Sequence, residues 1–420
     1  MVNIKKSLSF DSGTFGCSRT KVLDINKALL SGSIALLIGI NLFNIVNFLF
    51  QFAMARMLTP SDYGILATLF SIIYVMGVFS EPVQTIIAKY SSRERNAGKL
   101  KNLTSRSVRK GLKISFLIFI AYLIIAIALS ALLKIPYLLV SITGLMIFSA
   151  FLPPVTRGVM QGRKFFKTLG TNLFLEGIIK LALAIILVLI GWKVYGAMVA
   201  AIVGSLIAFI FSLISLKEIL KSKERKMNVK GIYSYSWPVF VVLLSILAFF
   251  SLDIIIARIV FDAASAGYYA IASVLAKIIF LGTQPISKAL FPISAEQKTK
   301  KNHLLINAVL ILFVCILIAL LIFYFFPSIL IKIFAGRIIL ESQSIIFYLA
   351  LAMSILSFTN LLLLYKLSLG KTRNYLVYLI FPAIEIALLF FFSHNLIEYS
   401  IALITASAIF LWGSVLLFDR

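Results

Sequence analysis

Ala55-Arg56-Met57-Leu58-Thr59-Pro60-Ser61-Asp62-Tyr63-Gly64 has a second copy farther along the chain, Ala257-Arg258-Ile259-Val260-Phe261-Asp262-Ala263-Ala264-Ser265-Ala266-Gly267. Each copy is Ala-Arg at the end of an apolar run, a short turn, and a Gly opening the next run. The second copy has one extra residue. The register then holds, with Pro82 standing 18 residues after Gly64 and Pro285 standing 18 residues after Gly267. Farther on, Gly162-Arg163-Lys164 precedes Glu176, and Gly370-Lys371-Thr372 precedes Glu385. This ordered correspondence reads as one unit duplicated within a single chain.

The solvent for such a unit follows from composition. The 420 residues are 61% hydrophobic and 13% charged, against roughly 45–50% and about 25% for a soluble domain. A water-soluble fold could not hide that excess. Continuous apolar runs fall near 28–55, 63–88, 112–133, 136–160, 168–191, 194–216, 232–257, 267–291, 304–328, 342–366, 374–393 and 398–417. Each approaches the roughly 20 residues that span a bilayer as a helix. Unbroken Leu/Ile/Phe runs exclude the alternating pattern of a membrane β-barrel. The expectation is an all-α integral membrane protein of about 12 transmembrane helices. They form two six-helix bundles, related by a pseudo-two-fold axis along the membrane normal because an even number of spans gives both copies the same orientation. The expected units are a basic tail over 1–27, bundles over 28–216 and 232–417, and a linker over 217–231.

A net charge of +25 suggests nucleic acid, but its distribution does not. Counted by segment, 32 of the 40 Lys and Arg residues fall on one side of the predicted topology and 6 on the other, with Lys180 and Lys277 inside helices. That is the bias of cytoplasmic loops. It predicts a multi-pass protein of the cytoplasmic membrane with both termini cytoplasmic, in contact with lipid headgroups and not with nucleic acid. Cys17 and Cys315 suggest no disulfide or metal site. His303 and His394 stand alone, and no nucleophile, metal or phosphate-loop spacing occurs, so no enzyme is expected.

The stretch ARMLTPSDYGILATLFSI (55–72) and the Gly-basic turn VMQGRKFFK (159–167) resemble the signatures of polysaccharide and lipid-linked oligosaccharide flippases. These belong to the multidrug/oligosaccharidyl-lipid/polysaccharide exporter superfamily. Thr59 stands where that family usually has Gly. The resemblance implies a flippase that carries an isoprenoid-(pyro)phosphate-linked glycan across the membrane by alternating access, with glycan-assembly enzymes as further partners. A drug or small-molecule exporter driven by H+ or Na+ is the alternative within the superfamily. No other cofactor is implied. Lipid II members of the superfamily carry arginines in the first helix, where this chain has amides.

Candidate site residues are the polar groups inside the apolar runs, which are costly there and face a cavity or a partner. Asn41, Asn44, Asn47 and Gln51 share one helix face and suit sugar hydroxyls, since an amide both donates and accepts. Asp253, at the depth of Gln51, is a candidate for a salt bridge or a coupling ion. Glu81, beside Pro82, is a second ion-coupling candidate, and Pro82 and Pro285 are expected to bend their helices. Glu176 and Lys180, four apart, are expected to pair with one another. Glu385 then needs a partner from another helix, for which Lys277 is a candidate. Lys277 could equally meet substrate phosphate. Arg56 and Arg258 on the outer side and Arg157 and Arg163 at the cytoplasmic mouth are candidate phosphate contacts, because a guanidinium fork matches phosphate.

Overall fold

A computed structural model describes residues 39–227, 236–296, 301–369 and 375–417. The predicted basic tail, Cys17, the linker residues 228–231 and the loop residues Lys298, Lys300, Lys371, Arg373 and Arg420 lie outside those residues.

The described residues are helical almost throughout. The first half contains α1 (described over 39–57), α2 (Pro60–Met76), α3 (Ser80–Arg93), α4 (Ala97–Leu133), α5 (Tyr137–Thr143), α6 (Met146–Gly162), α7 (Phe166–Leu187), α8 (Lys193–Ser215) and the short α9 (Lys217–Lys221). The second half contains α10 (Ser236–Val260), α11 (Ala263–Glu296), α12 (Lys301–Phe325), α13 (Pro327–Ala335), α14 (Leu340–Ser368), α15 (Ile380–Phe391) and α16 (Leu396–Leu416). Among the described residues nine helical stretches are long and apolar enough to cross a membrane; α2 with α3, α5 with α6, and α7 with α8 each form one such stretch, and Tyr375–Phe391 is a shorter apolar helix. The helices α4 and α12 expose Phe116, Leu117 and Ile124, and Leu310, Ile311 and Phe313. Such a belt is the surface a lipid-facing helix presents.

Local chemistry explains where the repeated turns fall. The Thr59 hydroxyl accepts from Asp62 N at 3.1 Å and donates to the Asp62 carboxylate at 2.9 Å, capping α2 with Pro60 in its first turn. In the second copy Asp262 caps α11, accepting from Ala264 N at 2.9 Å and Ser265 N at 3.2 Å. Between α7 and α8 the chain reverses at Gly191 (φ 100°) and Lys193 (φ 45°), and the two helices pack side by side.

The halves meet where α2 lies against α10 and α11. Their two motif glycines face each other there. A Cβ on Gly64 would sit 2.9 Å from Gly267 Cα, and one on Gly267 would sit 2.1 Å from Pro60 O. The repeated glycine therefore permits the backbone crossing of the two copies.

Some expectations need adjustment. The third span begins near 112 by hydropathy, yet α4 starts at Ala97, and its 37 residues reach about 55 Å. The extra turns carry basic residues that apolarity alone cannot register as helix. Asn96 caps them, accepting from Gly98 N at 2.9 Å. The beginning of the linker lies along this extension: Lys101 donates to Ser222 O at 3.0 Å, and Asn102 donates to Glu224 at 2.6 Å. The two prolines also differ. A 3-10 turn over Gly77–Phe79 separates α2 from α3 just before Pro82, whereas α11 continues as one helix through Pro285.

Candidate functional site

Each half buries a polar cluster, and the clusters differ in charge. In the second half Asp253 of α10 is fully buried. Its carboxylate accepts from Lys277 Nζ at 2.8 Å, Ser273 Oγ at 2.6 Å and Tyr269 OH at 3.2 Å, all on α11. Their spacing of four residues puts the three donors on one helix face. Tyr399 of α16 donates to the Asp253 backbone carbonyl at 2.7 Å. Lys277 also lies over the Phe250 ring, 4.9 Å from its centroid. A buried ion pair holds when hydrogen bonds satisfy its remaining polar groups, and Asp253 meets that condition.

Glu385 does not. It sits on α15, which packs against α10 and α16, and it is fully buried. Neither carboxyl oxygen has a hydrogen-bond partner among the described residues. The expected pairing of Lys277 with Glu385 is not the one formed, because Asp253 takes the ammonium.

In the first half the position equivalent to Asp253 is the neutral Gln51, which accepts from Tyr63 OH at 3.2 Å. The i,i+4 pairing of Glu176 with Lys180 is replaced. Glu176 of α7 forms its ion pair with Arg157 of α6, whose Nε also donates to Asn172 at 2.8 Å. Lys180 donates to Asn47 of α1 and lies over the Phe50 ring, 4.7 Å from its centroid. Opposite charges on two consecutive spans were the available sequence signal for Arg157 with Glu176. Of the amide face on α1, Asn41 and Asn44 are exposed while Asn47 and Gln51 are half-buried.

The arginines of the repeated motif do something the sequence did not suggest. Arg56, at the end of α1, donates through Nε and Nη2 to the Ile333 carbonyl of α13 at 3.0 and 2.6 Å. Arg258, at the end of α10, donates to the Leu133 and Lys134 carbonyls that end α4, at 3.0 and 3.2 Å. Each half thus lays its motif arginine on the backbone of the other half. Arg337 adds a third clasp at this end, donating to Leu58 O at 2.6 Å. Toward the linker end an aromatic ladder runs Phe151, Phe79, Phe240 and Trp237, with centroids 5.2, 5.1 and 5.4 Å apart.

The remaining candidates scatter. Arg163 donates to Glu94 O at 3.2 Å, and Glu81 is exposed near the start of α3. Outside the spans, the hydrogen bond from Asn96 N, then Lys99, holds the Glu94 carboxyl below its ordinary range. Among the described residues no group of three or more His, Cys, Asp or Glu could hold a metal ion. His303 and His394 are both exposed, and His394 lies 3.2 Å from the Glu398 carboxylate. The geometry places charges and amides inside an apolar bundle and joins its two halves through arginine–carbonyl contacts.

The comparisons with known proteins agree with this architecture. The family model described as "Polysaccharide biosynthesis protein" matches residues 29–298. An uncharacterized membrane protein of Methanocaldococcus jannaschii is 25% identical over 274 residues, 61% of this chain and 65% of that protein's length. A multidrug resistance MATE family transporter of the MOP superfamily, in an inward-facing conformation, superposes with a TM-score of 0.74 at 13% identity, over 90% of this chain and 94% of that one. The lipid II flippase MurJ, in an inward closed conformation, gives 0.72 at 14% identity, over 92% and 88%. The fold is that of the superfamily's transporters and flippases, as the sequence led one to expect.

Proposed function

This chain belongs to the polysaccharide biosynthesis protein family, and from that premise we propose that it is a flippase for a lipid-linked glycan precursor. It moves an isoprenoid-(pyro)phosphate-linked oligosaccharide across the cytoplasmic membrane by alternating access. The linker end, with the long basic α4, faces the cytoplasm.

The observation that carries this reading is the reciprocal arginine clasp around the Gly64–Gly267 crossing. A carrier of large substrates must close one end of a path while the other is free to open. Two matched halves that grip each other's backbone at one end supply such a closure. Backbone carbonyl contacts of this kind can be broken and re-solvated at modest cost, since each charge-assisted bond nets about 1.5–3 kcal/mol. The likeness to an inward-facing and an inward closed structure supports closure at the end away from the cytoplasm. Asn41 and Asn44, the exposed amides of α1, carry the donor and acceptor groups that suit sugar hydroxyls.

Reconstituted protein should expose a fluorescent, isoprenyl-pyrophosphate-linked oligosaccharide to an externally added glycosidase faster than empty vesicles do. Cells lacking the gene should accumulate the lipid-linked precursor in the cytoplasmic leaflet. Normal surface glycan in such cells, with altered sensitivity to cationic drugs, would instead favour the exporter reading that the likeness to a multidrug transporter keeps open.

A further inference from the structure

His394 and Glu398 flank the turn between α15 and α16, four residues apart. Asn395 caps α16 between them, its side chain accepting from Glu398 N at 2.9 Å. Asn395 Nδ2 also donates to one Glu398 oxygen at 2.9 Å, and His394 Nδ1 lies 3.2 Å from the other. The carboxylate is thus held in place from two sides. Its side chain remains 46% exposed, and its two oxygens offer about four acceptor sites, so room is left for a further donor. The turn lies at the motif end: the ring of Tyr399, the next residue, meets Phe261 edge-on at 5.2 Å.

Beside this carboxylate a groove of about 610 Å³ runs between α15 and α16, within the roughly 300–1,000 Å³ of ordinary small-molecule sites. Leu388 and Phe391 line it from α15, and Ile401, Ala402 and Thr405 from α16. Counted from Glu398, those three fall at i+3, i+4 and i+7, one face of α16 about 10 Å long. The Thr405 hydroxyl donates to Ile401 O at 3.0 Å, so it asks for no partner in the groove. The two helices pack against α10 and α14 of their own half. Phe391, Ile397, Ile401 and Trp412 are exposed, the same kind of apolar belt that α4 and α12 present to lipid. The groove is therefore apolar, open to the bilayer and headed by a fixed carboxylate.

We propose that this groove binds a phospholipid with a primary-amine headgroup from the leaflet at the motif end, its ammonium on Glu398 and one chain against Leu388, Ile401 and Thr405. An apolar groove open to a bilayer takes up a lipid chain whatever the lipid, so the headgroup sets the choice. A carboxylate accepts a charge-assisted hydrogen bond from a primary ammonium and repels a headgroup whose only charge is its phosphate. His394, exposed beside it, can meet the phosphate of the same headgroup through its second ring nitrogen. Tyr399 carries the site inward, donating to Asp253 O at 2.7 Å and packing on Phe261. A bound lipid therefore braces α16 beside the Arg258 turn. That bracing bears on transport through the flippase reading; the binding itself does not rest on it.

The test uses the full chain in phosphatidylcholine nanodiscs doped with phosphatidylethanolamine or phosphatidylglycerol that carries a diazirine in one chain. Photolabelling is read by peptide mass spectrometry, with the lipid-facing residues Leu310, Ile311 and Phe313 of α12 as internal reference. Phosphatidylethanolamine should label the stretch from Leu388 to Thr405 severalfold more than phosphatidylglycerol does, while the two label α12 alike. Glu398→Gln should bring the two lipids level at the groove. Thr405→Trp, which fills the groove from its exposed side, should lose most of the labelling there for both. Equal labelling of the groove by the two lipids in the wild type would overturn the proposal. So would a preference kept in Glu398→Gln, or labelling kept in Thr405→Trp. The wild-type comparison needs no variant, so the proposal stays exposed even if a substituted protein fails to fold. None of these readouts involves transport, so their failure is distinct from failure of the flippase reading.

Discussion

Glu176 and Glu385 are repeat mates in the two halves, yet one is paired and the other is bare. Counting back from the equivalent glycines Gly162 and Gly370 explains it: Arg157 in the first half corresponds to Tyr365 in the second. The two copies share the carboxyl group and differ in the guanidinium. A similar exchange occurs between α2 and α11. Tyr74 in the first half corresponds to Lys277 in the second, and both lie against Phe250, Tyr74 edge-on at 5.6 Å and Lys277 at 4.9 Å. The elements that shape the backbone, namely the caps, the crossing glycines and the clasping arginines, occur in both copies. The side chains that hold charge inside the bilayer differ. The two halves thus keep a matched crossing and matched clasps while holding different buried charges.

Matched substitutions in the two halves can break or sharpen this contrast. The largest difference is expected at the equivalent positions 253 and 51. Asp253→Ala strands the Lys277 ammonium in a buried site and should cost about 3–5 kcal/mol. Gln51→Ala removes one neutral hydrogen bond from Tyr63 and should cost about 1 kcal/mol. Thermal unfolding in a fixed detergent measures both, and equal costs would mean the halves are not electrostatically distinct.

The clasps come next. Arg258→Ala and Arg56→Ala should each lose about 1.5–3 kcal/mol of closure between the halves. Spin labels on either side of the motif end should then report longer separations. Arg258, only 5% exposed, should show the larger shift.

The caps should differ least in size and most in pH dependence. Thr59→Ala and Asp262→Ala should each cost about 1 kcal/mol of helix stability. The Ser265 side chain, then the Ser265 and Ala264 backbone N–H groups, hold the Asp262 carboxyl below its ordinary range. A depressed carboxyl stabilises the fold fully above its unfolded value and loses that contribution as pH falls through its folded value. Wild type and Asp262→Ala should therefore converge in stability on acidification, whereas the Thr59 hydroxyl has no proton to gain in that range.

How much of the site was legible varies with the distance over which each contact is decided. Asn41, Asn44, Asn47 and Gln51 could be placed on one face because helical spacing is local. The expected pairing of Glu176 with Lys180 also followed local spacing, and it gave way to contacts from α6 and α1. Arg56 and Arg258 suggested phosphate binding because nothing in the chain announces that a carbonyl of the opposite half will reach them.

The amino-acid sequence by itself determined the all-helical membrane fold and the places where the apolar runs lie, while helix ends such as the start of α4 at Ala97 did not follow from apolarity. Hydropathy, capping and turn chemistry act within a few residues, and a bilayer leaves the backbone no alternative to closing its hydrogen bonds within each span. Only the tertiary structure decided which buried charge meets which. A long side chain in an apolar interior takes the partner, charged or neutral, that helix packing brings within reach. Lys277, Ser273 and Tyr269 converge on Asp253, and helix packing brings no donor to Glu385 among the described residues.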